Sequence, residues 1–186
     1  MRRRRAGTWV LLAVLLLVLV VPSASAKVVG TDYSAFHFPA GWPGTVPPYP
    51  ACPGTYVTTP FAACVIEEGI VTHPGDGRST IRDMVNRMNV VSTSDPGRSG
   101  YQIATQNANL DASGNGPAWG TFTAYTFADE PTWSGTFNGR FENARLGAHF
   151  VAKGLGANAG LHLTGDFLRF DTALGNVIGK IKQTGP

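Results

Sequence analysis

Four side chains of this sequence could transfer protons in catalysis. Glu67 and Glu68 are adjacent, while His162 and Asp166 lie four residues apart. In an extended strand, His162 and Asp166 point to one side and could form an acid–base pair, whereas Glu67 and Glu68 point to opposite sides. These four residues are the candidate catalytic groups. For His162 and Asp166 a solvent-facing polar stripe is the favoured alternative, because outward strand faces are usually polar.

Whether His149 joins this cluster depends on strand register. If His149 pairs opposite Thr164 across the turn at residues 154–160, His149 and His162 share a face of the sheet. A slip of one residue puts them on opposite faces, and the sequence leaves both registers open. None of the four histidines has the short spacing to another that is typical of a metal site on one element, so we expect no metal.

A second group of residues could contact a ligand. Asn107 and Asn109 lie on one face of a predicted strand together with Thr105. They could form a row of hydrogen-bonding groups inside the fold or a surface stripe, and the surface or structural role is favoured. Phe150 is the candidate apolar contact. The sequence contains no nucleophile elbow, phosphate-binding glycine loop or H-E-x-x-H motif, so no cofactor is expected.

The pattern around these residues is typical of an antiparallel all-β domain. Short runs are separated, about every ten residues, by turns rich in Gly, Asn, Asp and Pro. In Trp133–Phe141, aromatic residues and glycines alternate with polar residues, which predicts a strand with one buried face. Gly135 and Gly139 between the aromatics predict bending or a close approach of backbones. The predicted strands are Cys64–Thr72, Thr80–Val91, Tyr101–Leu110, Ala118–Phe127, Trp133–Phe141, Arg145–Lys153, Leu161–Phe170 and Asn176–Gln183.

One of these segments has an ambiguous period. Within Thr80–Val91, Ile81, Met84, Val85 and Met88 recur at helical spacing. The end of the segment is rich in valine and the surrounding pattern is all-β, so a strand is favoured and a short helix is the alternative.

The first 26 residues have the features of a secretory signal peptide. Arg2–Arg5 form a basic start, Trp9–Val21 an apolar run of about 13 residues, and Ala24–Ala26 a small-residue cleavage site. We expect cleavage after Ala26 and a secreted protein. The apolar run is shorter than the roughly 20 residues that span a membrane, so stable membrane insertion of the mature chain is not expected.

Charge argues against nucleic acid as a partner. The chain has 15 Lys and Arg against 12 Asp and Glu, and four of the basic residues are Arg2–Arg5 of the predicted leader. Without them the chain is slightly acidic, and the remaining basic residues are scattered. Phosphate binding needs a clustered basic surface, so neutral or apolar partners are favoured.

The segment after the leader is rich in proline. Six prolines lie between Pro39 and Pro53, which is incompatible with a helix or an inner strand. The sequence therefore predicts an irregular arm at residues 27–55 and a β-domain at residues 56–186, after the signal peptide at 1–26. The two cysteines, Cys52 and Cys64, are expected to form a disulfide in an oxidising compartment.

Several motifs carry a resemblance to known proteins. They are Ser94–Gly100, Asn107–Asp111, Gly114–Phe122, Trp133–Gly139, Gly154–Gly156 and Gly160–Leu161. The chain resembles a group of secreted actinobacterial proteins of unknown function, which are similar to the small barrels of the allene oxide cyclase type and, in fold, to plant dirigent proteins. The resemblance implies a closed antiparallel barrel of about eight strands, an apolar interior and a homotrimer. The motifs are turn glycines and barrel aromatics, so no catalytic residue is carried over.

Three functions follow from this fold-level reasoning. An eight-stranded barrel has an interior that holds side chains or one ligand, so the favoured function is binding of a small, largely apolar molecule. The first alternative is an isomerase or cyclase that acts on an apolar substrate in the barrel. The second alternative is an extracellular structural or interaction module with a packed core.

Overall fold

The computed structural model describes residues 30–39, 51–57, 63–143, 145–169 and 175–183. The predicted signal peptide lies outside them. The described residues form eleven strands and two single-turn 3-10 helices, η1 (Pro96–Arg98) and η2 (Gly156–Asn158). The strands are β1 (Thr31–Pro39), β2 (Thr55–Val57), β3 (Ala63–Glu67), β4 (Ile70–Thr72), β5 (Ser79–Ser92), β6 (Gly100–Leu110), β7 (Gly116–Thr126), β8 (Pro131–Glu142), β9 (Arg145–Gly154), β10 (Leu161–Arg169) and β11 (Gly175–Gln183).

Alternation of apolar and polar residues explains the strands. In β9, Leu146, Ala148, Phe150 and Ala152 are buried, and the residues between them are exposed or partly exposed. This period of two matches the pleat of a strand with one face in the core. The antiparallel all-β class predicted from the sequence is confirmed.

Eight of the strands form a closed ring of hydrogen bonds. Neighbours follow the order β1-β11-β10-β9-β8-β7-β6-β5, and β1 pairs with β5 as well as with β11. Ala35 of β1 lies opposite Val177 of β11 and also opposite Ser92 of β5, so this one strand joins the two ends of the sheet. β4 pairs with β5 near its start, at residues 80–82, β3 pairs with the middle of β5, at residues 85–87, and β2 pairs with β3. The core lies inside the ring, where the apolar faces meet.

The segment with the ambiguous period is a strand, β5, as predicted, and the helical alternative is wrong. The register with β6 shifts between Ile81 and Met84, and Asp83 has a φ of 55°. This is a β-bulge, which inserts an extra residue into one strand of a pair. Ile81 belongs to the core and Met84 packs against it. Because of the bulge, Ile81 and Met84 both face the core although they are three residues apart, so their helix-like spacing occurs in a strand.

Two other predicted boundaries differ from the structure. Part of the arm predicted at residues 27–55 is the strand β1. Tyr33 and Ala35 are buried in the core, and the backbone pairs with β11 at residues 31–37 and with β5 at residues 35–39. The prolines of the arm between residues 40 and 50 lie outside the described residues. The predicted strand Cys64–Thr72 is interrupted at Gly69, whose φ of 68° separates β3 from β4.

The predicted disulfide is confirmed. Cys52 and Cys64 are bonded, with their Cα atoms 5.5 Å apart. Cys64 is fully buried in β3, so the bond fixes the segment before β2 to the sheet. This disulfide is compatible with an oxidising compartment.

Glycines on the inner face let strands and aromatic rings approach closely. A Cβ on Gly135 would lie 2.2 Å from the carbonyl oxygen of Val151, and one on Gly139 would lie 2.1 Å from that of Gly147. The predicted close approach at these two glycines is confirmed. At Gly120 a Cβ would lie 2.0 Å from the Thr105 carbonyl oxygen and would also meet the ring of Phe137.

We predict that Gly120→Ala destabilises the fold, because its methyl group would displace both the Thr105 backbone and the Phe137 ring. Overpacking of this kind costs about 1–3 kcal/mol in the free energy of unfolding, measured by urea denaturation. The control is Gly147→Ala on β9, where the nearest atom to the new methyl group is Leu168 Cδ2 at 3.7 Å. Equal stability of the two variants would contradict the prediction.

Candidate functional site

The inside of the ring contains a cavity of about 80 Å³. Residues from β1, β5, β6, β7, β8, β9, β10 and β11 line it, so its wall is the inner face of the ring itself. Most of this wall is apolar. Phe122 and Phe150 meet edge to face with ring centroids 6.0 Å apart, and Ala104 and Ala124 leave space beside them. Ala104 pairs directly with Phe122 on the neighbouring strand, so the cavity exists where small residues lie beside large aromatic residues on the inner face.

Polar side chains interrupt this apolar wall at several points. Asn86 Nδ2 donates a hydrogen bond to Gln106 Oε1 at 3.3 Å, and both residues are buried. Tyr33 and His37 enter the wall from β1, and the imidazole of His37 lies 5.5 Å from the ring of Phe167. Among the described residues that line the cavity there is no Asp, Glu, Lys or Arg. The wall can therefore donate and accept hydrogen bonds, but it has no permanently charged group to balance a charged ligand.

Arg98 spans the ring at the end where β5 leads into β6 and β9 leads into β10. Arg98 Nε donates to Asp95 Oδ2 at 2.8 Å, and Nη1 donates to Asn158 Oδ1 at 3.1 Å. Asp95 and Asn158 belong to connections on opposite sides of the ring. The guanidinium lies 5.8 Å from the ring centroid of Trp133, which lines the cavity. Arg98 thus links two loops above the cavity and packs over one of its aromatic walls.

The candidate catalytic residues from the sequence lie elsewhere. Glu67, Glu68, His162 and Asp166 are exposed, and the lining of the cavity contains none of them. β9 and β10 pair so that His149 is opposite Asp166, with His149 Nδ1 2.9 Å from Asp166 Oδ1. This register differs by two residues from the pairing with Thr164 considered from the sequence, so it keeps both histidines on the same outer face. The structure brings His149, not His162, to Asp166.

The candidate ligand contacts divide between the two faces. Phe150 lines the cavity. Asn107 and Asn109 point to the outer side, where Asn107 Oδ1 accepts a hydrogen bond from the Asp83 backbone N–H and Asn109 Oδ1 accepts one from Arg82 Nη2. Both asparagines therefore hold the bulge of β5, which is the structural role favoured from the sequence.

Sequence reasoning missed the polar residues of the wall. Tyr33 and His37 lie within the segment predicted as an irregular arm, and Asn86 and Gln106 lie on predicted strands with no motif around them. The signal that could have found Tyr33 is the alternation Tyr33, Ala35, His37 without a glycine or proline, which is typical of a strand. For Asn86 and Gln106 the only signal is their place in the alternation of side chains along each strand. It shows which residues face inward only once the register is known.

Comparisons with family models, with curated proteins and with solved structures find no match for this chain. Among the described residues, no three His, Cys, Asp or Glu side chains are grouped so that they could hold a metal ion. The part of the chain that the structure describes also contains no helix with the length and apolar character to cross a membrane.

Burial raises the pKa of Tyr33 in the cavity wall to about 12, and nearby Arg98 opposes this rise in part. Burial and a hydrogen bond donated to Asp129 Oδ1 at 2.5 Å likewise raise the pKa of Tyr101, on the outer side, to about 12. The folded protein therefore keeps both phenol protons at a pH where the unfolded chain, with a tyrosine pKa of about 10, releases them.

We predict that titration of these two tyrosines gives the free energy of unfolding no pH dependence below pH 10 and makes it fall as pH rises from about 10 to about 12. Tyr33→Phe should make this fall shallower, and Tyr33→Phe with Tyr101→Phe should make it shallower still. Urea denaturation across this pH range measures the slope. If Tyr33→Phe leaves the slope of the wild-type protein unchanged, the phenol of Tyr33 is not protected by burial.

Proposed function

We propose that the ring of eight strands is a closed β-barrel whose interior binds a small, largely apolar molecule, in a protein that is secreted. The observation that supports binding most directly is the cavity inside the ring. Its wall combines aromatic and aliphatic side chains with a few buried polar groups, which is the usual composition of a small-molecule site. The motifs that resemble allene oxide cyclase-like barrels favour the same architecture.

The volume of the cavity limits the size of the ligand. Pockets for drug-sized molecules measure about 300–1,000 Å³. A dry cavity of about 150 Å³ holds one benzene molecule. The cavity here, about 80 Å³, fits a molecule smaller than benzene.

Binding is better supported than catalysis. An isomerase or cyclase needs a group that takes and returns a proton, and no carboxylate of the described residues lines the cavity. The raised pKa of Tyr33 keeps its hydroxyl protonated, so this residue is a hydrogen-bond donor and not a base. His37 is the wall residue that supports an isomerase as the second candidate, since an imidazole can act as a base.

Binding in the cavity can be tested with xenon, which occupies apolar cavities without needing a hydrogen bond. We predict that xenon shifts the NMR resonances of Phe122 and Phe150 in the wild-type protein. Ala104→Leu should abolish these shifts, because Ala104 lines the cavity and the larger side chain fills it, at a cost in stability of about 1–3 kcal/mol.

The control for this experiment is Thr121→Leu, which places the same side chain on an exposed position of β7. This variant should bind xenon like the wild-type protein. If xenon causes no shift in the wild-type protein, or if Ala104→Leu keeps the full shift, the cavity does not bind apolar molecules and the proposal fails.

Secretion is tested at the predicted cleavage site. We predict that protein recovered from the medium of a secreting host begins at Lys27, as read by mass spectrometry of the intact chain. Ala26→Lys should block cleavage and retain the leader, because signal peptidases require small residues at this position. Ser25→Ala, at the position between the two critical alanines, is the matched control. Normal cleavage of Ala26→Lys would place the processing site elsewhere.

A further inference from the structure

Within the described part of the chain, two buried hydrogen-bond donors in the cavity wall have no hydrogen-bond partner. They are Trp133 Nε1 and Gln106 Nε2. Trp133 is 4% exposed and Gln106 is 5% exposed, and both line the cavity. A buried donor without a partner costs about 1–3 kcal/mol, and such groups are rare in folded proteins. The wall therefore carries a specific deficit of hydrogen-bond acceptors.

The two donors differ in what can satisfy them. Gln106 already accepts from Asn86 through its Oε1, and turning both amides over would only move the free N–H to Asn86. This pair offers donors and acceptors side by side, an arrangement that suits a buried water. The indole of Trp133 is a donor only, so no reorientation of its own satisfies it. Because Trp133 lines the cavity, a molecule bound there can supply the missing acceptor.

The position of Trp133 favours contact with a bound molecule. Its strand pairs it with Ala124, which in turn lies opposite Gln102, whereas Gln106 lies four residues further along β6. A small molecule in the cavity can therefore contact only one of the two donors at a time. Arg98 packs over the indole ring and is itself fixed by Asp95 and Asn158. The indole is thus held in place at the end of the cavity that Arg98 spans.

The wall also restricts the charge of the ligand. The described lining residues include no Lys or Arg to pair with an anion and no Asp or Glu to pair with a cation. Moving a charged group from water into such a site carries a large desolvation cost without a compensating ion pair. The ligand that fits the wall is neutral.

We propose that the cavity binds a small neutral oxygen compound, such as a ketone or an aldehyde, whose oxygen accepts a hydrogen bond from Trp133 Nε1. This inference rests on the proposed binding function and adds the chemical class of the ligand and the residue that recognises it. The apolar part of the molecule packs against Ala124 and the aromatic wall. Its oxygen supplies the acceptor that Trp133 lacks.

The test compares three probes of similar size by NMR titration of the full protein. They are acetone, 2-methylpropene, in which a methylene group replaces the carbonyl oxygen, and acetate, which carries a charge. All three are smaller than benzene. The indole N–H resonance of Trp133, one of four tryptophans, reports hydrogen bonding directly. We expect acetone to move this resonance downfield and to bind about fivefold more tightly than the alkene, as one net hydrogen bond predicts. Acetate should bind more weakly than either.

Trp133→Phe removes the donor and keeps an aromatic ring. It should abolish the preference for acetone over the alkene while binding of the alkene persists. Trp119→Phe is the matched control, because Trp119 lies on the outer face beneath Arg82, and it should keep the preference. Gln106→Leu should also keep it. If Trp133→Phe does not fold, the ketone and alkene affinities of the wild-type protein and the shift of its indole resonance still decide the question.

The outcomes separate this inference from the proposed function. Equal affinity for ketone and alkene, or xenon binding without ketone binding, overturns the inference and leaves the binding cavity intact. If Gln106→Leu loses the preference and Trp133→Phe keeps it, the ligand oxygen binds at the amide pair of Asn86 and Gln106. This result overturns the assignment to Trp133. If acetate binds more tightly than acetone, the conclusion that the ligand is neutral is wrong. Failure of xenon and of all three probes removes the binding function itself.

Discussion

The rest of the structure depends on the double pairing of β1. This strand bonds to β11 through one edge and to β5 through the other, and it thereby closes a ring whose other seven strands follow in sequence. A strand at the edge of an open sheet leaves its backbone N–H and C=O groups without partners, whereas closure satisfies them. Closure also gives the sheet an inside and an outside. The cavity and the burial of Tyr33 and His37 both follow from this one strand.

Within the ring, small residues on the inner face account both for the close packing and for the cavity. On the inner face, the ring of Phe137 lies over Gly120 and the ring of Phe150 lies over Gly165. A Cβ atom at either glycine would collide with the ring. Small residues such as Ala104 and Ala124 then leave space where no aromatic ring reaches. Because side chains in a regular strand alternate between the two faces, these inner residues can be large or small without any effect on the outer face.

The outer face has its own network, and it is structural. Asn107 and Asn109 hold the bulge of β5, and Arg82 bonds to the Ala108 carbonyl oxygen and lies 5.3 Å from the ring centroid of Trp119. The bulge places Ile81 and Met84 on the same side of β5, toward the core. Polar residues that look like a binding row in the sequence thus support the curvature of a strand. The chemistry of the proposed site lies on the opposite face, among residues that belong to no motif.

The sequence alone was sufficient for the strands β5 to β11, the all-β class and the disulfide, because alternation, turn residues and two cysteines are local signals. It also predicted that Gly135 and Gly139 allow close contact between strands. It was insufficient for β1, since a proline-rich neighbourhood masked the alternation around Tyr33. Only the tertiary structure decided which residues face the cavity and which residue lies opposite Asp166. The physical reason is that register and ring closure are set by pairing between strands far apart in the chain, and a shift of one residue reverses every side chain.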